Sequence, residues 1–151
     1  MIYSNYDQGG FGEYLVTLYH RMTGHTVIIS KDKYDQQKDM TIDGVSVEVK
    51  TLVPTLLIKP IAFPVGVNQS RKLDSVGRLL FVRVPTAEED YVNIYENLDR
   101  SDYYTHTWAN GTKSRCYICT NQQIIATIKD PEAARYLHSL SASKYKGLKV
   151  A

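Results

Sequence analysis

The passage Asp39-Met-Thr-Ile-Asp43-Gly44-Val-Ser-Val-Glu48-Val-Lys50-Thr51 constrains the fold of this chain more than any other. Asp43-Gly44, set between two alternating apolar runs, is a two-residue hairpin signal, because both residues tolerate the positive φ that a type I′ turn demands. On the second strand Val45, Val47 and Val49 alternate with Ser46, Glu48 and Lys50. Strand side chains alternate between faces, so Glu48 and Lys50 share one face and the valines hold the other. A carboxylate and an ammonium two residues apart, with a second carboxylate at Asp39, make a site suited to a divalent cation and an activated water.

Composition narrows the partners. The 151 residues suit one domain, 1–151, with a working core. A formal net charge of +2 does not announce a nucleic-acid partner, so any attraction to phosphate must come from locally clustered Lys and Arg. Aromatic content is tyrosine-heavy, with twelve Tyr against three Phe and one Trp, which suits half-wet binding faces. No apolar run has the length to span a bilayer, and the polar start Met-Ile-Tyr-Ser-Asn-Tyr-Asp does not read as a signal peptide. Cys116 and Cys119 are too few for a disulfide scaffold, and a zinc site would need two more ligands than Cys116-Tyr-Ile-Cys119 offers. The expectation is a reduced protein of the cytoplasm, or of the host cytoplasm if phage-encoded, with no membrane.

Along the chain, Gly9-Gly10-Phe11-Gly12 leads into an amphipathic helix from Glu13 to Met22, with Leu15, Leu18, Tyr19 and Met22 on one face and Thr23-Gly24 as the stop. The glycines lack a phosphate-loop pattern and are read as setting the start that aims Glu13. Residues 25–30 read as a buried strand, 31–38 as a charged loop, and 39–51 as the hairpin. Prolines 54, 60 and 64 argue against a central strand over 52–67. A helix over 68–77 and a strand over 78–84 follow, then strands at 91–95, 103–108 and 113–120, with a turn at Asn110-Gly111. Asn121 is read as capping a helix to Lys129, and Asp130-Pro131-Glu132 as opening a last helix before a basic tail.

This order resembles the PD-(D/E)XK nuclease superfamily. Asp39 matches the motif aspartate, Glu48-Val49-Lys50 the (Asp/Glu)-X-Lys, and Gly12-Glu13 the glutamate of the first helix. The resemblance spans about 9–84. Within that superfamily the segments look most like the small Holliday junction resolvases, with Gln69 matching the glutamine of the next helix and Ser30 a serine that can follow the first strand. Asp39 is preceded by Lys38 rather than Pro, and 85–151 has no counterpart there. The resemblance implies an α/β restriction endonuclease-like αβββαβ core with a mixed central sheet, carrying extra strands and a C-terminal helix.

It also implies a Mg²⁺-dependent endodeoxyribonuclease, with Mn²⁺ able to substitute, acting on DNA as a homodimer that pairs two sites to cut two strands. Asp39, Glu48 and the carbonyl of Val49 would hold the metal, with Glu13 closing the shell. Lys50 would offset charge building on the phosphorane. Gln69, Arg71, Lys72 and Arg78 would meet the nucleic-acid backbone. Restriction-type, repair or exonuclease action on the same core stays open, as does a non-catalytic nucleic-acid-binding module or a structural protein that oligomerises through its tyrosine-rich half. Asp43 and Asp35 compete with Asp39 for the metal. His20 is read as a surface histidine, and His106, near Tyr103, Tyr104 and Trp108, as an interface residue or a base-stacking one. A Glu-x-Lys on a strand is most often plain solvated surface, so the reading stands on the conjunction.

Overall fold

The computed structural model describes residues 3, 5–30, 39–55 and 61–147, with side chains as far as Ser141. The expected loop at 31–38, which includes Asp35, lies outside the described residues, as do 56–60 and the chain beyond 147.

In chain order the elements are α1 (Gln8–Met22), β1 (Val27–Ile29), β2 (Met40–Ile42), β3 (Val45–Leu52), β4 (Ala62–Gly66), α2 (Val67–Leu73), β5 (Arg78–Arg83), β6 (Val92–Asn97), β7 (Tyr103–Thr107), β8 (Lys113–Ile118), β9 (Ile124–Ile128) and α3 (Pro131–Gly147). Six strands form one mixed sheet in the order β1-β2-β3-β5-β6-β9, where only β3 and β5 run parallel. The other three form a small antiparallel sheet, β4-β8-β7.

Three layers result. Phe11, Leu15 and Val16 of α1, with Ala133, Ala134 and Leu137 of α3, pack on Val47, Val49, Leu80, Val82 and Ile94 on one face of the large sheet. On the other face Leu79, Phe81 and Tyr95 meet Phe63, Val65 and Tyr117 of the small sheet and Leu73 of α2. Phe63 and Phe81 stack with centroids 4.6 Å apart. With both faces covered, Leu79-Leu-Phe-Val82 in β5 is wholly buried, which explains its unbroken apolar run.

Several expectations need correction. Helix α1 starts at Gln8, because Asp7 caps it by accepting from the amide of Gly10 at 2.7 Å. Its buried face is Phe11, Leu15, Val16 and His20; Leu18 and Met22 are exposed, the latter by 76%. Phe11 anchors that rotation by lying edge-on to Tyr136 of α3 at 4.9 Å. Helix α2 ends at Leu73 rather than Gly77. The segment expected as a helix from Asn121 is a single 3₁₀ turn, Asn121–Gln123, followed by β9. There Thr120, not Asn121, is the cap, and Ile124-Ile-Ala-Thr-Ile128 is β-branched enough to pair with β6. Ala62–Gly66, with Pro64 at its centre, is β4, an edge strand of the small sheet, where a proline is tolerated. The last helix opens as read, with Asp130 Oδ1 accepting from the amides of Glu132 and Ala133 at 3.1 Å each. Among the described residues no helix is long and apolar enough to cross a membrane.

Candidate active site

The hairpin sets the geometry. Asp43 and Gly44 adopt φ of +50° and +82°, and the turn registers Met40 opposite Val47. Beyond that pair β2 stops. The Asp39 amide still donates to Val47 O at 3.0 Å, but its carboxylate then replaces the ladder, with Oδ2 accepting from the amide of Val49 at 2.9 Å. Ser30, just past β1, donates its amide to Asp39 O at 3.0 Å and steadies the residue from the other side. The N–H and C=O of a strand residue leave on the same edge, so the Val49 carbonyl faces the side where Asp39 sits.

Helix α1 crosses the edge that β2 vacates. Gln8 Nε2 donates to Thr51 O at 2.6 Å, and Gln8 Oε1 accepts from Ser141 of α3, so one side chain ties two helices to β3. Gly12 makes the crossing possible: a Cβ there would lie 1.6 Å from Thr51 Oγ1 and 2.8 Å from Thr51 Cβ. Its role is close approach, not the helix start. Glu13 follows at once and is carried into the field of Asp39 and Lys50.

The four expected residues therefore share one electrostatic neighbourhood. Burial, then the charges of Asp39 and Asp7, raise the Glu13 carboxyl to about 7 against the pull of Lys50. Glu48, only 8% exposed, is also pushed up, by burial first and by Asp39 next, while Lys50 opposes with its Nζ 3.4 Å from Glu48 Oε1. Asp39 is the strongest charged neighbour of both glutamates. These are anions held together with too little positive charge among them.

On the α2 side a cleft of about 220 Å³ is lined by Glu48, Lys50, Gln69, Lys72 and Leu73. Gln69 and Lys72, three apart on α2, both line this cleft. Arg71 is exposed and does not line this cleft. Arg78 pairs in register with Val47, which puts its side chain on the α1 face, where its guanidinium holds Glu96 in two bonds of 2.9 Å. It braces the sheet instead of facing the cleft.

Other candidates resolve as follows. Asp43 is occupied in the turn, accepting from the Thr26 amide at 2.8 Å and lying 2.6 Å from His25 Nδ1. His20 is buried, not on the surface: its Nδ1 meets Val16 O at 2.7 Å, and burial lowers its pKa. Cys116 and Cys119 are free and buried, and burial pushes the Cys119 thiol up to about 12, which makes it inert. Sequence reading missed Gln8 and Thr51. Only the glycine at 12, opposite a β-branched strand residue, hinted at that contact.

Mg²⁺ binds hard oxygen donors, needs only one or two carboxylates, and keeps several waters. Asp39, Glu48, Glu13 and the Val49 edge supply such oxygens, and Glu48 lines an open cleft, so the chemistry of the donor set fits. Among the described residues no three His, Cys, Asp or Glu side chains are gathered closely enough to hold a metal ion by themselves. Compared with protein-family models, curated proteins and solved structures, the chain finds no match.

Proposed function

We propose that this protein is a Mg²⁺-dependent endodeoxyribonuclease of the PD-(D/E)XK type, hydrolysing DNA phosphodiester bonds. The observation that carries the reading is that Glu13, Asp39, Glu48 and Lys50 share one electrostatic field where β2 leaves β3, with Lys50 Nζ 3.4 Å from Glu48 Oε1. The succession α1-β1-β2-β3, then α2 and β5, with β3 parallel to β5, supports it. So do Gln69 and Lys72 on the far wall of the cleft. The strand β4 and the sheet it joins are additions to that succession.

In this reading Asp39, Glu48 and the Val49 carbonyl hold the metal, with Glu13 closing the site from α1. When bound, Mg²⁺ lowers the pKa of a coordinated water and polarises the phosphate. Lys50 neutralises charge on the phosphorane and orients the attacking water from the Glu48 face. Gln69 and Lys72 position the backbone without reading bases. Burial of Glu48 takes its carboxylate out of bulk water, which strengthens its interaction with Lys50 and with a cation.

The test is cleavage of branched, duplex and single-stranded DNA in Mg²⁺ or Mn²⁺, with wild type beside Glu48→Ala and Lys50→Ala. Both substitutions should lower the rate by on the order of 10²–10³-fold. Activity equal to wild type in both would end the proposal. Cutting of one DNA form over the others decides between junction, duplex and strand specificity.

A second copy of the chain is the proposed partner. Ile29 on the edge strand β1, with Leu18 and Met22 on α1, forms an exposed apolar group beside a cleft of about 360 Å³. Sedimentation at micromolar concentration should give a dimer that Ile29→Glu with Met22→Glu dissociates; a wild-type monomer there would count against it.

A further inference from the structure

The cleft of about 360 Å³ beside α1 shares a wall with the proposed active site. Gly10, Glu13, Tyr14, Thr17, Leu18 and Arg21 recur at helical spacing along one face of α1, and Ile29 of β1 and Met40 of β2 line the other side. Glu13 belongs to both places: it lines this cleft, and it stands in the field of Asp39 and Lys50. Whatever fills the cleft therefore lies next to the proposed metal site.

The cleft has a buried floor and an open rim. Thr17 and Met40 are 6% and 1% exposed and form the floor, whereas Tyr6, Leu18 and Ile29 are exposed and form the rim. Among the described residues, the Thr17 hydroxyl has only Met40 Sδ to donate to, at 3.9 Å. A thioether is a weak acceptor, so a buried donor at the floor is left short of a partner. Tyr6 and Tyr14 supply an aromatic wall, with centroids 5.1 Å apart and planes inclined by 31°. The two rings are already in contact, so a further ring stacks on the pair from the cleft side and not between them. Tyr6 is fixed through its backbone: its amide donates to Tyr136 Oη at 3.2 Å, and that hydroxyl donates back to Tyr6 O at 2.7 Å. Arg21 is held by donation from Nη2 to Val27 O at 2.9 Å, and a guanidinium has further donors for an anion. From Glu13 to Arg21 the helix rises by about 12 Å, a distance on the scale of one nucleotide. Rings on one side, aliphatic groups on the other, a polar atom at the floor and a cation beyond suit a flat heterocycle carrying phosphate. The volume is that of a small-ligand site and excludes a duplex.

We propose that this cleft receives one nucleobase of the strand being cut, swung out of the helix, with its ring on Tyr6 and Tyr14, its polar edge toward Thr17 and a phosphate at Arg21. The inference rests on the nuclease reading of Glu13, Asp39, Glu48 and Lys50 and names its substrate class: DNA with an unpaired or easily unpaired nucleotide beside the scissile phosphate. Extruding a base costs least where it is mismatched or unpaired, which is itself a source of selectivity. Leu18 and Ile29 at the rim also belong to the apolar group assigned to a second copy, so the test separates the two occupants.

Fluorescence anisotropy in EDTA, where hydrolysis is suppressed, compares three labelled duplexes: fully paired, with a single thymine bulge, and with the same bulge carrying an abasic sugar. Wild type should bind the thymine bulge about tenfold more tightly than the abasic one; Tyr6→Ala should remove that difference and Tyr6→Phe keep it. A wild type without the difference, or a folded Tyr6→Ala protein that retains it in full, overturns the proposal. If Tyr6→Ala does not fold, photocrosslinking of wild type to 5-iodouracil at the bulge decides: adducts at Tyr6 or Tyr14 support the base site, and adducts only elsewhere refute it. A wild type with no bulge preference, whose dimer Tyr6→Ala dissociates, gives the cleft to the second copy instead. A wild type that cuts no DNA yet prefers the thymine bulge through Tyr6 sinks the nuclease reading and leaves the base site standing. One that cuts paired DNA and bulged DNA alike, with binding indifferent to Tyr6, sinks the base site alone.

Discussion

Glu48 and Glu89 are the same residue type, both withdrawn from water, and they titrate in opposite directions. Glu89 accepts from Arg83 Nη1 at 2.7 Å, the Thr86 amide at 2.8 Å and the Tyr91 hydroxyl at 2.7 Å. Burial pushes its carboxyl up, but these donors and the Arg83 charge outweigh it and bring it down to about 2. Glu48 has Lys50 at 3.4 Å and two carboxylates for company, and it goes up. The first is a satisfied anion that holds the β5–β6 connection. The second lacks the positive charge its surroundings call for, and such deficits concentrate where a cation or substrate is meant to supply it.

Glutamine in each place should separate the two roles most widely. Glu48→Gln removes a charge that its neighbours disfavour, so its melting temperature should equal or exceed wild type while DNA cleavage falls by about 10³-fold. Glu89→Gln leaves Arg83 without its anion and should cost about 2 kcal/mol of stability with kcat intact. Urea denaturation beside the cleavage assay reads both. A Glu48→Gln protein destabilised as much as Glu89→Gln would erase the contrast.

Gly12 adds to the crowding around Glu48, because it lets α1 bring Glu13 in. Gly12→Ala gains helix propensity of about 1 kcal/mol, yet its methyl must displace Thr51, so the net change should be a loss of about 2 kcal/mol. Thr51→Ala in the same chain should restore part of that loss, which a double-mutant cycle measures. Additive effects would mean that α1 does not press on β3 at this point.

Much of this could be read in the residues. Asp43-Gly44 dictates a turn, the turn dictates a register, and the register places Asp39 across from Glu48, all within one hairpin. Gln69 came from the family resemblance and Lys72 from the cluster of basic residues after the motif. What failed depended on distant partners. Burial of His20 and exposure of Met22 follow from where Tyr136 of α3 meets Phe11, which periodicity within α1 does not contain. Ile124–Ile128 became a strand because β6 offered an edge, overriding a local helix start. Arg78 read as a phosphate contact because its partner Glu96 sits on the neighbouring strand.

Acid titration gives the sharpest sign. Take the metal-free protein. A carboxyl lowered from 4.5 to about 2 on folding, as at Glu89, is protonated more readily when unfolded, so its contribution is complete above 4.5 and is lost as the pH falls toward 2. A carboxyl raised from 4.5 to about 7, as at Glu13, binds its proton more tightly when folded, so stability rises as the pH falls from 7 to 4.5. Urea midpoints in EDTA should therefore climb on acidification to about pH 4.5 and then decline. Glu13→Gln should reduce the climb, to which Glu48, raised likewise, also contributes, and Glu89→Gln should flatten the decline, each leaving the other limb in place. A climb that survives Glu13→Gln undiminished would show that Glu13 is not in the crowded field, and the frustrated side of the comparison would then rest on Glu48 and Asp39 alone.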